Sequence, residues 1–426
     1  MKPLSLHSMS SSFYLISLSL ITFLAFLYAA GFTSILKKSF LNSKLLEYSA
    51  QVQEESISNI PKQEKDVGMP FAVGRTEEGC DVFDGRWVYD EVSRPHYGEH
   101  ECRYISAQAR CQAYGRPDKA YQRWRWQPHG CSLPSFNATF MLEKLRGKRM
   151  MFVGDSLARG QFTSMACLLR RASSKFAKSH KHFRSHGILR ARKHNATIEF
   201  YWAPFLVESN CDNATVHKIT DRIVNVHPES INKHAPNWKG VDVLIFNTYM
   251  WWIRDTNIKT LQRSVKWGLE YVKEMKKEDA YRLVLKRMVR WVEENIDPEK
   301  TRVFFTSLSP THYRSIEWGG KPDGTCYNQT TPITDPTYWG SSASKSMMRV
   351  VEQVLGESKI PIIVLNITKL SAFRKDAHAS IYKQQMHELM PEQLANPNSY
   401  ADCTHWCLPG LQDTWNVMLY TKLFYP

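Results

Sequence analysis

The chain has 426 residues, of which 43% are hydrophobic, and it carries a formal net charge of +15. This length and composition provide for a sizeable buried core, which excludes a single small domain and an intrinsically disordered chain. A basic chain commonly binds nucleic acid, so that class of partner is the first to weigh.

An uncharged apolar segment lies close to the amino terminus. It runs from Phe13 to Phe32 and consists mostly of Leu, Ile, Phe and Ala. A helix needs about 20 apolar residues to cross a bilayer, so we predict a signal anchor over residues 13–33 that follows a cytoplasmic tail of residues 1–12. A cleaved signal peptide is the alternative, and the lysines on the two sides of the segment do not decide its orientation.

Cysteines and glycosylation sequons all follow this segment. The nine cysteines are Cys80, Cys102, Cys111, Cys131, Cys167, Cys211, Cys326, Cys403 and Cys407. The sequons lie at Asn137, Asn195, Asn213, Asn328 and Asn366. Both features indicate an oxidising lumen on the carboxyl-terminal side of the anchor, hence a type II membrane protein. That location argues against nucleic acid and favours an acidic carbohydrate, and the odd cysteine count leaves at least one thiol free or paired with another chain.

Two segments separate the anchor from the main domain. Residues 34–78 are polar and weakly patterned, which is typical of a stalk. Residues 79–133 contain four cysteines and many aromatic side chains but few long apolar runs. This composition predicts a small, loop-rich lobe that is stabilised by disulfides.

Apolar strands alternate with helices over residues 134–426. The predicted strands are Met150–Gly154, Val241–Phe246, Val303–Ser307 and Ile362–Leu365. The predicted helices are Leu157–Leu169, about 261–296, Ser344–Leu355 and Leu411–Phe424. This alternation predicts an α/β domain in which helices flank both faces of a parallel sheet.

The stretch from Arg170 to Lys193 is rich in basic residues and includes His180, His182 and His186. Its histidine spacing fits no tight metal-ligand motif, and no cluster of thiols or carboxylates accompanies it. We therefore predict a solvated basic loop and no metal site.

The turn Gly154-Asp155-Ser156 follows a predicted strand and begins a predicted helix. Ligands bind at the carboxyl ends of the strands in such sheets, and a serine at this place can use the N–H groups of the helix start as oxyanion donors. Ser156 is therefore a candidate nucleophile. An ordinary Asp-Ser helix cap explains the turn alone at least as well.

Asp402 and His405 are three residues apart, which lets one turn of chain bring both side chains to one side. The aspartate can then fix the tautomer of a histidine that accepts the serine proton. Cys403 and Cys407 bracket the histidine, and bridges from them would give the loop the rigidity that a catalytic base needs. A surface Asp-His pair is the alternative.

Further candidates lie near the same edge of the predicted sheet. Asn247 ends a strand, where its amide could be a second oxyanion donor or a structural cap. Arg159 lies one helical turn after the serine and could face the cleft. Trp251 could stack on a sugar ring, although most tryptophans are core residues.

Five blocks of sequence together are specific to one family. The blocks are Cys80–Trp87, Tyr121–Cys131, Arg149–Ser156, Ser309–His312 and Asp402–Gly410. Over residues 79–426 the chain resembles the plant trichome-birefringence-like proteins, which are Golgi polysaccharide O-acetyltransferases. The resemblance implies a GDSL/SGNH-hydrolase-like domain after a family-specific amino-terminal lobe.

The resemblance also implies residue roles. Ser156 would be the nucleophile, His405 its base and Asp402 the orienting acid. Gly154 and Asp155, in the turn before the serine, are candidates for contact with the oxyanion or the substrate. The implied disulfides are Cys80–Cys131, Cys102–Cys167, Cys111–Cys407 and Cys326–Cys403, which leaves Cys211 as the odd thiol. The chain departs from its similar members at Ala158, where they usually carry Asn.

The neighbourhoods of Trp124–Trp126 and Gly154–Ser156 look most like the xylan-acting branch of the family. The implied function is transfer of acetyl to O-2 or O-3 of xylosyl residues in the Golgi, from acetyl-CoA or a derived donor, with no bound cofactor. The alternatives are another wall polysaccharide as acceptor (mannan, xyloglucan or pectin), a polysaccharide acetylesterase, and a polysaccharide-binding protein without catalysis.

Overall fold

A computed structural model describes residues 69–172, 177–178, 185–216, 220–263, 269–385 and 387–426. The predicted tail, signal anchor and most of the predicted stalk lie outside these ranges. Within the ranges, no helix is both long and apolar enough to cross a membrane.

The described chain contains fourteen strands and seven α-helices, with short 3₁₀ turns between them. The strands are β1 Gly85–Tyr89, β2 Trp124–Pro128, β3 Arg149–Gly154, β4 Ala177–Lys178, β5 His186–Ala191, β6 Ala196–Trp202, β7 Ile223–Asn225, β8 Val243–Asn247, β9 Asn257–Arg263, β10 Glu270–Lys276, β11 Arg302–Thr306, β12 Ile362–Leu365, β13 His378–Ser380 and β14 Asp402–Trp406. The helices are α1 Ala138–Lys144, α2 Ser156–Leu169, α3 Lys277–Asn295, α4 Lys345–Gly356, α5 Thr368–Ala372, α6 Pro391–Ala395 and α7 Leu411–Phe424.

A seven-stranded sheet in the order β12-β11-β8-β3-β6-β5-β4 forms the centre of the main domain. The strands from β12 to β6 run parallel to their neighbours, as the sequence predicts. The predicted all-parallel sheet is wrong at one edge, because β5 runs antiparallel to β6 and β4. A short turn at Asn195, which adopts a left-handed φ of 50°, joins β5 to β6, and a connection this short can only return the chain antiparallel.

The region predicted as helical over 261–296 contains strand before its helix. Strands β9 and β10 form an antiparallel pair, and α3 begins only at Lys277. Leu269, Val272 and Met275 repeat every three residues, which imitates a helix, yet Leu269 and Val272 are exposed. Backbone pairing with β9 therefore prevails over the apolar period of β10.

The predicted basic loop over 170–193 is also partly strand. Strand β5 pairs along its whole length with β6, and Ile188 faces Glu199 across the pair. The side chains of Leu189 and Ala191 are fully buried while Arg190 is exposed. This period-two pattern is short and lies between charged residues, which hides it in the sequence.

The small lobe contains the antiparallel pair β1–β2, in which Trp87 and Trp126 meet edge to face at 5.5 Å. Arg374 of the main domain is buried against it. Its guanidinium donates to both carboxylate oxygens of Asp376 and to the backbone oxygen of Tyr121, and it lies 4.5 Å from the Trp87 ring centroid. These contacts of a buried cation fix the lobe to the domain.

Four disulfides link the described cysteines: Cys80–Cys131, Cys102–Cys167, Cys111–Cys407 and Cys326–Cys403. They are the pairs that the family resemblance implies. Two of them, Cys102–Cys167 and Cys111–Cys407, join the small lobe to the main domain. Cys211 is buried and takes part in none of these four disulfides.

A buried carboxylate lies where the small lobe meets the main domain. Asp413 in α7 accepts hydrogen bonds from the Tyr97 and Ser164 hydroxyls at 2.8 and 2.5 Å and from the Gly410 N–H at 2.8 Å. Burial raises the pKa of Asp413 to about 6, against the opposite effect of these three donors. Tyr97 belongs to the lobe and Ser164 to α2, so the carboxyl group ties three elements together.

Asp413 should make stability depend on pH in a defined direction. Because its pKa is higher in the folded than in the unfolded state, the folded state binds more protons between about pH 4 and pH 6, and stability falls as the pH rises. The Asp413→Asn variant has no ionisable group at this position and therefore serves as the reference. The free energy of unfolding of the wild type, measured relative to this variant by urea denaturation, should fall by about 3 kcal/mol across that window. Parallel curves for the two proteins would contradict this result.

Candidate active site

Gly154 ends β3 in a turn that only glycine fits. Its φ is +152°, and a Cβ atom on it would lie 1.8 Å from the backbone oxygen of Asn247 on the neighbouring strand β8. The chain can therefore pass closely over β8 and enter α2 within one residue. This turn places Ser156 at the carboxyl edge of the sheet and at the first position of α2.

The cap of α2 is Asp155 and not the serine. The Asp155 carboxylate accepts the Leu157 N–H at 2.8 Å, and burial raises its pKa to about 6 although this hydrogen bond and the charge of His405 act in the opposite direction. The helix-cap explanation of the turn thus applies to Asp155. It leaves the hydroxyl of Ser156 available for another partner.

The partner of the serine is His405. The Ser156 Oγ lies 2.7 Å from His405 Nε2, and the Asp402 carboxylate oxygens lie 2.8 and 3.1 Å from His405 Nδ1. Burial would raise the pKa of Asp402, but the charge and hydrogen bonds of His405 outweigh it and hold the pKa well below the usual range for Asp. The carboxylate is therefore ionised and fixes the Nδ1–H tautomer, which leaves Nε2 free to accept the serine proton.

Asp402 and His405 lie on a strand, β14, and their side chains nevertheless lie on one side, as their spacing predicts. In a regular strand, side chains three residues apart point to opposite faces. Pairing between β13 and β14 is irregular here, and the Asp402 Oδ1 accepts the backbone N–H groups of Thr404 and His405 at 3.1 and 3.0 Å. This local loop of hydrogen bonds brings the two side chains to one side.

Disulfides flank the histidine on both sides. Cys403 pairs with Cys326, and Cys407 pairs with Cys111 of the small lobe. The strand that carries the base is thus covalently fixed at two points four residues apart, as the flanking cysteines suggest in the sequence. Rigid support of this kind maintains the distance between nucleophile and base.

Two protein families match the chain in sequence. Residues 133–422 match the GDSL/SGNH-like acyl-esterase family found in Pmr5 and Cas1p, and residues 78–132 match the Pmr5 amino-terminal domain. The chain belongs to this acyl-esterase family.

Named relatives in this acyl-esterase family are plant proteins. The probable xylan O-acetyltransferase 10 of Oryza sativa subsp. japonica is 54% identical over 97% of this chain and 95% of its own length. The probable xylan O-acetyltransferase 9 of the same plant is 51% identical over 84% of this chain and 81% of its own length. The protein trichome birefringence-like 35 of Arabidopsis thaliana is 46% identical over 82% of this chain and 77% of its own length.

Two buried histidines lie behind His405 of the candidate site. His312, from one of the family blocks, has Nδ1 at 2.7 Å from His378 Nε2 and Nε2 at 2.7 Å from the Ala372 backbone oxygen. His378 stacks on Trp406, and its Nδ1 lies 3.1 Å from the backbone oxygen of His405. Burial lowers the pKa of His312 to about 4 and that of His378 well below its ordinary value. His312 and His378 are therefore neutral, and they support the backbone of β14 at His405.

The remaining sequence candidates occupy different places. Asn247 is buried at the end of β8, directly beside Gly154, and within the described parts of the chain no group bonds its side-chain nitrogen. Arg159 lies partly exposed with its guanidinium 5.7 Å from the Trp202 ring centroid. Trp251 is mostly buried in edge contact with Trp202, which leaves little of its face for a sugar.

Other predicted features can be placed as well. The asparagines of the sequons are all exposed: Asn137, Asn195, Asn213, Asn328 and Asn366. Ala158 is buried beside Gly154. Over the described ranges, no group of three His, Cys, Asp or Glu residues could hold a metal ion.

Two residues at the site escape sequence reasoning. His378 lies in a short segment without any recognisable motif. Gln108 of the small lobe has its side-chain nitrogen 2.9 Å from His405 Nδ1. Its only signal in the sequence is its position three residues before Cys111, which the resemblance pairs with a cysteine beside His405.

Proposed function

We propose that this chain is a polysaccharide O-acetyltransferase that transfers acetyl to O-2 or O-3 of xylosyl residues of xylan through an acetyl-serine intermediate. The observation that carries the proposal is the continuous contact from Ser156 Oγ through His405 to Asp402. The choice of xylan is supported by relatives of that name that are at least half identical over most of the chain.

In the first half-reaction, His405 Nε2 takes the hydroxyl proton of Ser156 while Oγ attacks the carbonyl carbon of the acetyl donor. The resulting oxyanion lies near the amino terminus of α2, where the backbone N–H of Ser156 is the candidate donor, because Asp155 already accepts the N–H of Leu157. The unpaired side-chain nitrogen of Asn247 is a second donor at the same edge. Collapse returns the proton from His405 to the leaving group and leaves acetyl on Ser156.

In the second half-reaction, an acceptor sugar hydroxyl takes the place of the donor. His405 removes its proton, the sugar oxygen attacks the acetyl carbonyl carbon, and Ser156 leaves with the proton that His405 returns. Transfer competes with hydrolysis, so the acceptor must displace water from the acetyl-serine. The partly exposed Arg159 next to Trp202 offers a cationic surface that suits acidic branches on the acceptor.

We also propose that the protein works in the Golgi lumen, anchored by residues 13–33, with acetyl-CoA or a derived compound as the acetyl donor. Four disulfides support an oxidising compartment, because such bonds rarely persist in the cytosol. The exposure of all five sequon asparagines supports passage through the secretory pathway.

The test is an acceptor panel with the purified lumenal protein and an acetyl donor. Oligosaccharides of xylan, mannan, xyloglucan and pectin are incubated separately, and the products are examined by NMR for acetyl at each hydroxyl. We expect new acetyl groups on O-2 or O-3 of xylosyl units. Net release of acetate from acetylated xylan, without transfer, would identify an acetylesterase, and binding without turnover of any kind would overturn the enzymatic proposal.

A further inference from the structure

The small lobe contributes a side chain to the Asp-His pair. The Gln108 side-chain nitrogen lies 2.9 Å from His405 Nδ1 and 3.5 Å from Asp402 Oδ2. Both of these partners lie on β14 of the main domain. The contact therefore bridges the two parts of the molecule at the place where the proton of the base is held.

The backbone around Gln108 is held from both sides. The Ala107 oxygen accepts the Gln384 N–H at 3.1 Å, and the Ala109 oxygen accepts the Leu408 N–H at 3.0 Å. Three residues after Gln108, Cys111 is bonded to Cys407, next to Leu408. These anchors leave the chain at Gln108 little freedom, so its side chain is presented to His405 in a fixed direction.

A second contact fixes the same face of the lobe. The Arg116 guanidinium donates to the backbone oxygen of His378 at 2.9 Å and to that of Asp376. His378 in turn lies against the backbone oxygen of His405. The lobe thus contacts the side chain of His405 directly through Gln108. It contacts the backbone of His405 indirectly, through Arg116 and His378.

The Asp-His pair needs such a support. The side chains of His405 and Asp402 retain 22% and 11% of their exposure, so water can compete for the Nδ1 proton. Because Asp402 keeps the His405 proton on Nδ1, the Gln108 amide can bond Nδ1 only through its oxygen, and the oxygen and nitrogen of an amide exchange places by a half turn of the side chain. With Oε1 toward Nδ1, the amide accepts the Nδ1–H together with Asp402 and restricts the imidazole ring. Removing it would let the ring turn and water enter.

We propose that Gln108 is a positioning residue for the catalytic histidine, supplied across the interface by the small lobe. The inference rests on the proposed roles of Ser156 and His405 and is independent of the acceptor polymer. The lobe then has a defined part in the chemistry: it completes the Asp-His pair that the main domain carries.

The test measures the reactivity of Ser156 directly, with the full lumenal chain and a fluorophosphonate probe that phosphonylates active serines. Gln108→Ala should label Ser156 about 10- to 100-fold more slowly than the wild type, as is typical when a group that orients a reactive side chain is lost. Gln112→Ala is the matched control, because the Gln112 amide bonds Asp118 and Tyr121 within the lobe and not the site. We expect this control to label at the wild-type rate.

Gln108→Glu supplies a readout that a purely structural role would not move. A carboxylate at this distance favours the protonated imidazole, so the acid limb of the labelling-rate profile should move to higher pH by about one unit or more. The other titratable groups near the ring are Asp402 on its own strand, Asp155 at the start of α2 and His378 on β13, and these are unchanged in the variant.

The outcomes separate the two proposals. If the wild type labels at Ser156 and both Gln108 variants match it in rate and pH profile, the inference is wrong while the proposed site stands. If Gln108→Ala is slow but also melts well below Gln112→Ala, and Gln108→Glu leaves the profile unmoved, Gln108 is only structural and the inference is again overturned. If the wild type does not label at Ser156, the proposed active site fails and the inference fails with it.

Discussion

Ser156→Ala should reduce acetyl transfer by about 10⁴- to 10⁶-fold, the range seen when the nucleophile of a serine triad is removed. The variant retains the helix start and the base but has no atom that can carry the acetyl group. The measurement is the initial rate of acetyl incorporation into xylo-oligosaccharide, with donor and acceptor both saturating.

Ser132→Ala provides the matched control, because Ser132 is an exposed serine in the lobe. Both variants should keep the wild-type melting temperature, since Ser156 is only partly buried and the cap of α2 is Asp155, not the serine. A Ser156→Ala protein that retains more than a few per cent of transfer activity would exclude the acetyl-serine pathway. Direct transfer between donor and acceptor on the surface of the enzyme would then be the remaining route.

Asp402→Asn should lower the rate of acetyl transfer by about 10³- to 10⁴-fold while the fold is kept. The asparagine oxygen can still accept the backbone N–H groups of Thr404 and His405, so the loop geometry survives. Its NH₂ group, however, favours the His405 tautomer with the proton on Nε2, which cannot accept a proton from Ser156. The measurement is the single-turnover rate of Ser156 acetylation.

Asp335→Asn is the control for this second prediction. Asp335 accepts the backbone N–H and hydroxyl of Thr337 in a similar local turn, but it is exposed and is not part of the site. We expect this variant to acetylate Ser156 at the wild-type rate. If Asp402→Asn behaves in the same way, the carboxylate does not orient the base and the proposed role of Asp402 is wrong.

The sequence predicts the buried strands and the terminal helix well, because their apolar runs are long and uninterrupted. Strand β12 and helix α7 have the predicted bounds, and β3 differs by one residue. The β9–β10 pair is mispredicted, because the spacing of Leu269, Val272 and Met275 satisfies a helix as well as a strand. The segment is a strand because it pairs with β9, and this pairing depends on tertiary structure that the local sequence does not contain.

In the candidate site, too, local sequence patterns identify individual residues but do not show which distant residues come into contact. The Gly154–Ser156 turn and the Asp402–His405 spacing are local, and both can be identified as candidates in the sequence. Their meeting depends on residues 249 positions apart, so the two local patterns suggest a serine-histidine pair but do not by themselves place the side chains in contact. Gln108 has no local signature at all, because an amide 297 positions from its partner is ordinary until the fold places it there.

The most direct test of the account is whether Ser156 carries acetyl during the reaction. The purified protein is incubated with an acetyl donor alone, quenched in acid and digested, and the peptide that contains Ser156 is examined by mass spectrometry. We expect one acetyl group on Ser156, lost when xylo-oligosaccharide is added before the quench and recovered on the sugar. Transfer to the sugar with Ser156 unmodified throughout, or with acetyl on another residue, would contradict the account.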